Sequence, residues 1–108
     1  MRSNIKFIYE ANSSMGTSDS KNMLIKGNNK DILPELVGEF GGKVKCVYID
    51  PPYNNGDSYH YYNDNVSEAS WLKDISYVLM YLKMLLTKDG SIWISIDDSE
   101  MAYLKVAA

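Results

Sequence analysis

A short apolar segment that stops at two consecutive prolines constrains the fold of this chain more than any other feature. Val44–Ile49 is rich in apolar and β-branched side chains, which predicts a buried strand. Asp50 follows directly, and Pro51 and Pro52 then end the strand because proline has no amide hydrogen for a sheet ladder. The sequence therefore predicts a rigid turn that begins with a carboxylate where the chain leaves the sheet.

Segments typical of strands and helices alternate on both sides of this turn. We expect strands at Met23–Lys26, Val44–Ile49 and Ser91–Ile96, and helices over about Lys30–Phe40, from Ser67 or Ser70 to Leu86, and from Ser99 to Val106. Asn29 is the expected N-cap of the first helix, and Asp89-Gly90 is the expected turn before the third strand. The alternation favours an α/β fold with parallel strands joined by crossover helices.

Each predicted strand is followed by a polar segment. The three segments are Gly27-Asn28-Asn29, Asp50-Pro51-Pro52-Tyr53 and Asp97-Asp98. Carboxyl ends of parallel strands meet at the same edge of a sheet, and ligands of such sheets bind outside that edge. We therefore expect one cleft that all three segments line.

The chemistry available at the central turn leaves more than one function open. Oxygen ligands suit magnesium, so Asp50 could bind that ion together with Asp97 and Asp98. The two prolines favour another use, because they remove backbone donors and leave carbonyl acceptors beside the Asp50 carboxylate. Such an acceptor pair suits the two hydrogens of an amino group, and Tyr53 offers a face on which a flat base can stack.

Composition limits the class of protein. With 108 residues the chain forms one domain at most, and a net charge of -3 gives no overall preference for nucleic acid without a local basic groove. The single cysteine excludes an internal disulfide and fits a reducing compartment. No stretch approaches the roughly 20 apolar residues of a membrane span.

The motif Asp50-Pro51-Pro52-Tyr53 resembles motif IV of the DNA amino-methyltransferases, which methylate adenine N6 or cytosine N4. The segments around it, in order, resemble the N-terminal part of the modification subunit of a type III restriction system. They are Leu24–Asn29, Lys43–Lys45, Tyr48–Asn54, Tyr62–Asp64, Trp71-Leu72, Leu85-Leu86, Asp89–Ile92 and Asp97-Asp98. The resemblance covers about residues 22–106.

The resemblance implies a partial Rossmann-like, S-adenosylmethionine-dependent methyltransferase fold, with three αβα layers and mainly parallel strands. Residues 1–22 would then be a flexible polar lead-in, and residues 23–108 a partial catalytic domain. The chain would be an N-terminal fragment, because neither the target-recognition region nor the Phe-x-Gly-x-Gly cofactor motif of such enzymes occurs in it. A half-sheet of this kind is expected to expose apolar side chains on one face and an unpaired edge.

The resemblance also implies roles for individual residues. Asp50 and the Pro51 carbonyl would hold the amino group of a flipped adenine, Pro52 would complete the rigid turn, and Tyr53 would stack on the base. Gly27, Asn28 and Asp50 would contact S-adenosylmethionine. The implied partners are double-stranded DNA, a restriction (Res) subunit and a second copy of the full-length chain, in the bacterial cytoplasm and away from membranes.

Several alternatives remain open from the sequence. Asp50 at the first motif position is typical of adenine-modifying members, but methylation of cytosine N4 or of a protein glutamine is an alternative, and so is an inactive remnant that acts as an interaction module. Cys46 lies inside a strand, so covalent cytosine-C5 chemistry is not supported. Asn28 and Asp97-Asp98 could simply cap helices. The aromatic segment Tyr59–Tyr62, which includes His60, could be a lid or a packed loop, and Trp71 is expected in the core.

Overall fold

The computed structural model describes residues 5–16, 19–52, 58–59, 62–63 and 67–108. Three α-helices lie in these ranges: α1 (Asn29–Phe40), α2 (Glu68–Leu85) and α3 (Met101–Ala107). The strands are β1 (Val44–Ile49), β2 (Ser58–Tyr59), β3 (Tyr62–Asn63) and β4 (Leu86–Ile94), and a short 3-10 helix spans Ala11–Ser13. β1 pairs in parallel with β4, and β2 pairs antiparallel with β3. Because α2 connects the parallel strands, the predicted α/β class is confirmed for the described residues.

The sheet register is regular at the carboxyl end and irregular at the amino end. Pairs run from Cys46–Ser91 to Ile49–Ile94, but Val44 pairs with Leu86. Between these pairs β1 contains only Lys45, whereas β4 contains Thr87–Gly90. The expected turn at Asp89-Gly90 is therefore a bulge inside β4, which begins at Leu86 and not at Ser91.

Two contacts hold this bulge in place. The ammonium of Lys45 forms a salt bridge with the carboxylate of Asp89. The Thr87 hydroxyl donates to Asp89 Oδ1 at 2.9 Å. Gly90 fits because a Cβ there would lie only 3.1 Å from the Val44 carbonyl oxygen. The bulge thus keeps the two strands paired on both sides of the irregular residues.

All three helices cover the same face of the β1–β4 pair. α1 and α2 bury Leu33, Val78, Leu82 and Leu85 against the sheet, and α2 and α3 bury Trp71, Ile75, Leu79 and Leu104 against it. Ile49 and Ile92 contact both clusters. On the other face, Tyr48 is 69% exposed and its neighbour Trp93 is 62% exposed. The described residues therefore form two layers with one uncovered sheet face, and the three-layer arrangement stays a prediction.

The prediction of a strand at Met23–Lys26 is wrong. These residues have no regular secondary structure, and Leu24 is fully exposed. A strand requires a neighbour with which its amides and carbonyls pair, and neither β1 nor β4 pairs with this segment in the described part of the chain. Local β propensity without a partner does not make a strand.

The helices begin and end close to their predicted limits. The N-cap of α1 is Asn28 rather than Asn29, and its Oδ1 accepts from the Lys30 amide at 3.0 Å. Ser67 caps α2 through the Ser70 amide. Leu86 belongs to β4 and not to α2, because its backbone is extended. None of the helices in the described ranges is long and apolar enough to cross a membrane.

Pro34 lies beyond the first turn of α1, which begins at Asn29. Within the first turn its missing amide hydrogen would cost little, because the amides there have no acceptor inside the helix. Proline at this position cannot donate to the carbonyl of Lys30, four residues earlier. The Tyr77 hydroxyl of α2 donates to that carbonyl at 3.3 Å. Helix α2 therefore satisfies an acceptor that Pro34 leaves unpaired within α1.

Candidate active site at the carboxyl ends of the strands

The carboxyl ends of β1 and β4 lie side by side. Ile49 pairs with Ile94, and the Ile49 carbonyl also accepts from the Ser95 amide at 3.0 Å. Asp50 follows β1 directly, and Asp97 comes soon after β4. The structure therefore places the Asp50-Pro51-Pro52 turn and the Asp97-Asp98 segment at the same edge of the sheet, where the sequence predicts a cleft.

A buried tryptophan of α2 holds the Asp-Pro-Pro turn. The indole Nε1 of Trp71 donates to the carbonyl oxygen of Pro52 at 2.7 Å. Trp71 is 5% exposed and packs with Ile75 and Leu104. The hydrogen bond thus connects the first turns of α2 to the turn that leaves β1.

The Gly27-Asn28 segment lies beside the same helix. Lys30, two residues after Asn28, forms a salt bridge with Asp74, one helical turn beyond Trp71. Asn28 caps α1, and a Cβ on Gly27 would lie 2.8 Å from Cδ1 of Ile32. Both residues therefore have a structural role at the start of α1. Their contact with a cofactor stays a prediction.

Asp97 shapes the chain before α3. Its Oδ1 accepts from the Ser99 amide at 3.0 Å, which closes a turn ahead of the helix. The N-cap of α3 is Glu100, without a side-chain cap hydrogen bond, so the alternative that Asp97 or Asp98 caps this helix is wrong. Asp98 is exposed. Within the described ranges, no three histidine, cysteine or acidic side chains gather closely enough to hold a metal ion.

The start of α2 is also tied to α3. Tyr103 of α3 forms a hydrogen bond with the Glu68 carboxylate, and this bond together with the negative charge of Glu68 raises the pKa of the Tyr103 phenol. Glu68 is the first residue of α2, directly after its cap Ser67. The end of α2 that carries Trp71 is therefore fixed by its cap and by α3 as well as by core packing.

Some of the predicted residues lie outside the described part of the chain. Tyr53, with its stacking role, lies outside the described residues, as does His60 of the predicted lid. Tyr59 and Tyr62 are described only as members of the β2–β3 pair. Their roles stay predictions.

Sequence reasoning assigned Trp71 to the core and missed its polar contact. The burial of Trp71 is confirmed, but the contact with Pro52 adds a function at the candidate site. One signal could have revealed it. A buried indole needs a hydrogen-bond acceptor, and a Pro-Pro turn offers carbonyls with no amide hydrogens of its own.

Comparison with known proteins identifies a family to which most of this chain is similar. The N6_N4_Mtase family model, described as "DNA methylase", matches residues 44–108, which contain the turn, α2, β4 and α3. The chain is 46% identical over 87 residues to the probable type III restriction-modification enzyme HindVI Mod subunit of Haemophilus influenzae, covering 81% of this chain and 12% of that protein.

Two further relatives come from different restriction systems. The EcoP15I Mod subunit of Escherichia coli is a type III restriction-modification enzyme and is 32% identical over 118 residues, covering 82% of this chain and 18% of that protein. The type II methyltransferase M.EcaI of Enterobacter cloacae is 32% identical over 90 residues, covering 78% of this chain and 20% of that protein.

The resemblance to type III modification subunits is thus confirmed, although the chain spans only 12% and 18% of the length of the two Mod subunits. The matched family model extends over more than half of the chain and includes the candidate site. This chain therefore belongs to the DNA methylase family.

Proposed function

We propose that this chain supplies the target-base part of the active site of a DNA adenine-N6 methyltransferase in a type III restriction-modification system. The observation that carries the proposal is the Asp50-Pro51-Pro52 turn at the carboxyl edge of a parallel strand pair, in a chain of the DNA methylase family. The names of the Mod subunits to which the chain is similar support a type III system. Asp50 at the first position of the motif, which is typical of adenine-modifying members, supports adenine as the target.

The turn would act on an exocyclic amino group. The lone pair of such a nitrogen is conjugated into the ring, so the amine is a poor nucleophile. The Asp50 carboxylate and the Pro51 carbonyl would accept its two hydrogens and leave the nitrogen more electron-rich and aimed at the methyl donor. This is catalysis by positioning and electrostatics. Because an adenine inside a duplex cannot reach the turn, the base must be flipped, and Tyr53 would stack on it.

The cofactor of this proposal is S-adenosylmethionine, which supplies an electrophilic methyl group on a positively charged sulfur. The edge of the sheet fits such a cation, since Asp50, Asp97 and Asp98 bring carboxyl groups to it. Gly27 and Asn28, beside the first turns of α2, would contact the same cofactor. Double-stranded DNA, a Res subunit and a second copy of the complete chain are the proposed partners.

The test combines binding with methyl transfer. S-adenosylmethionine binding is measured by isothermal titration and methyl transfer to DNA with a labelled methyl group, in this chain and in a longer form that carries it within a complete Mod subunit. Mass spectrometry of the digested DNA separates N6-methyladenine from N4-methylcytosine. We expect N6-methyladenine from the longer form and its loss in Asp50→Ala, with Asp19→Ala as the matched control.

Three results would overturn the proposal. The longer form could transfer no methyl group, Asp50→Ala could keep full activity, or the product could be N4-methylcytosine. The last result would leave the family intact and change only the target base.

A second candidate function belongs to another class, an interaction module without catalysis. The uncovered sheet face with Tyr48 and Trp93 favours it, because exposed aromatic residues in a patch are typical of contact surfaces. Size-exclusion chromatography with light scattering separates the candidates. A monomer at all concentrations argues against obligatory pairing with a second copy.

A further inference from the structure

We infer that Trp71 is a positioning residue for the target-base turn, which it holds through the Pro52 carbonyl. The inference rests on the proposed function, because it assigns Trp71 to the site where Asp50 and Pro51 would hold the amino group. Trp71 would not contact the base. It would act by fixing the peptide unit that leads from Pro52 into Tyr53.

The two prolines leave the turn with few hydrogen-bonding groups of its own. A turn at the end of a strand is normally held by its own amides and carbonyls, but Pro51 and Pro52 contribute no amide hydrogen. Of the backbone groups of Pro51 and Pro52, only the carbonyls can form such hydrogen bonds. The Trp71 indole supplies such a bond to Pro52 at 2.7 Å, a short distance for an N–H donor.

The donor is itself rigidly placed. Trp71 is 5% exposed among Ile75, Leu79 and Leu104, so its ring cannot turn without opening the core. Its own amide donates to the carbonyl of Ser67, the cap of α2, at 2.9 Å. The indole therefore transmits the fixed position of α2 to the turn.

The same contact gives the two proline carbonyls of the motif different roles. The indole occupies the Pro52 carbonyl, and the Pro51 carbonyl is the acceptor that the proposed function assigns to the amino group. A turn free to rotate would present these acceptors in varying directions. Because misplacing a reacting group by about 1 Å can cost about 100-fold in rate, a contact that fixes the turn should act on the turnover number.

The first test asks whether the hydrogen bond exists in solution. The chain has two tryptophans, so a nitrogen-15 spectrum shows two indole N–H signals. We expect the Trp71 signal to exchange slowly with solvent and the Trp93 signal to exchange fast, because Trp93 is 62% exposed. Trp71→Phe and Trp93→Phe assign the signals. Equal, fast exchange of both would overturn the inference.

The second test measures kinetics in the longer form. Trp71 is replaced by Phe, and separately by benzothienylalanine, which keeps the bicyclic shape but has sulfur in place of the N–H. We expect kcat to fall about tenfold in both, with KM for S-adenosylmethionine unchanged and the melting temperature of the benzothienylalanine form preserved. Trp93→Phe is the matched control and should keep the wild-type kcat.

The outcomes distinguish this inference from the proposed function. If Asp50→Ala abolishes transfer while the benzothienylalanine form keeps the wild-type kcat, only the role of Trp71 is wrong. If Asp50→Ala keeps full activity, the proposed site is wrong and the role of Trp71 falls with it. The inference would also be overturned if the kcat of the benzothienylalanine form fell only in proportion to the fraction of the protein that is unfolded.

Discussion

The Ile49 carbonyl accepts a hydrogen bond from the Ser95 amide, one residue beyond the last pair of β1 and β4. The hydrogen bonding between β1 and β4 therefore continues to the point where both strands end. Asp50 comes directly after Ile49, and Asp97 comes shortly after Ser95. This contact sets the relative position of the two acidic segments at the edge of the sheet.

Tyr77→Phe should lower the free energy of unfolding slightly, because it removes a hydrogen bond to a backbone carbonyl. Its hydroxyl donates to the Lys30 carbonyl, which Pro34 cannot satisfy. Urea unfolding followed by circular dichroism measures the difference. In a Pro34→Ala background, where residue 34 can donate to Lys30, the same substitution should cost less. Equal costs in both backgrounds would contradict the compensation.

Asn28→Ala should cost about 1 kcal/mol of unfolding free energy, because it removes the side-chain cap of α1. Asn28→Asp should keep the stability, since Asp is an equally good cap and carries a charge that suits a helix N-terminus. Asn29→Ala is the matched control, one residue inside the helix. A larger loss of unfolding free energy for Asn29→Ala than for Asn28→Ala would show that Asn29 is the cap, as the sequence predicted.

Leu82→Ala should cost about 2–5 kcal/mol, the range for removing a buried leucine side chain. Leu82 is 5% exposed in the cluster that joins α1, α2 and the sheet, whereas Met84 on the same helix is 51% exposed. Met84→Ala should therefore stay within about 0.5 kcal/mol of the wild type. Thermal and urea unfolding of both variants measure the two losses of stability. Equal losses for Leu82→Ala and Met84→Ala would show that α2 does not pack as described.

The stability of the β4 bulge should depend on pH. The hydrogen bond from Lys45, followed by that from Thr87, lowers the pKa of Asp89 below its ordinary value. A depressed carboxyl pKa stabilises the folded state fully above the unfolded value, about 3.9, and the contribution is lost as pH falls through the lower folded value. Asp89→Asn should therefore destabilise the chain at pH 7 and have a smaller effect in acid.

Urea unfolding at several pH values and at two salt concentrations measures this effect. The effect should be small, because the pair is exposed, and it should shrink further in high salt. Lys45→Met should remove most of the same pH dependence. A loss in Asp89→Asn that is independent of pH would show that the carboxylate charge is not the cause.

The sequence predicted the elements that local patterns determine. The apolar residues from Trp71 to Leu86 have helical spacing, and α2 contains all of them except Leu86, which begins β4. Val44–Ile49 was predicted with its observed limits because the prolines after Asp50 leave no freedom for a longer strand. The parallel pairing of β1 and β4 followed from the helix between them.

The remaining features depend on contacts distant in sequence. Met23–Lys26 has the composition of a strand but no partner, and composition does not reveal a partner. Asn28 and Asn29 are equally good caps by residue type, and the extended backbone of Asn28 makes it the cap in the structure. The apolar ring of Trp71 was enough to assign it to the core. The acceptor of its indole N–H can be identified only from the position of the Pro52 carbonyl.

The bulge of β4 has a consequence for how this fold can change in length. The irregular residues Thr87–Gly90 lie at the amino end of the strand pair, and the regular register from Cys46–Ser91 to Ile49–Ile94 begins beyond them. A residue added or removed within the bulge would change the bulge and leave the register from Cys46–Ser91 onward as it is. The relative position of the two acidic segments should therefore stay the same when the bulge gains or loses a residue.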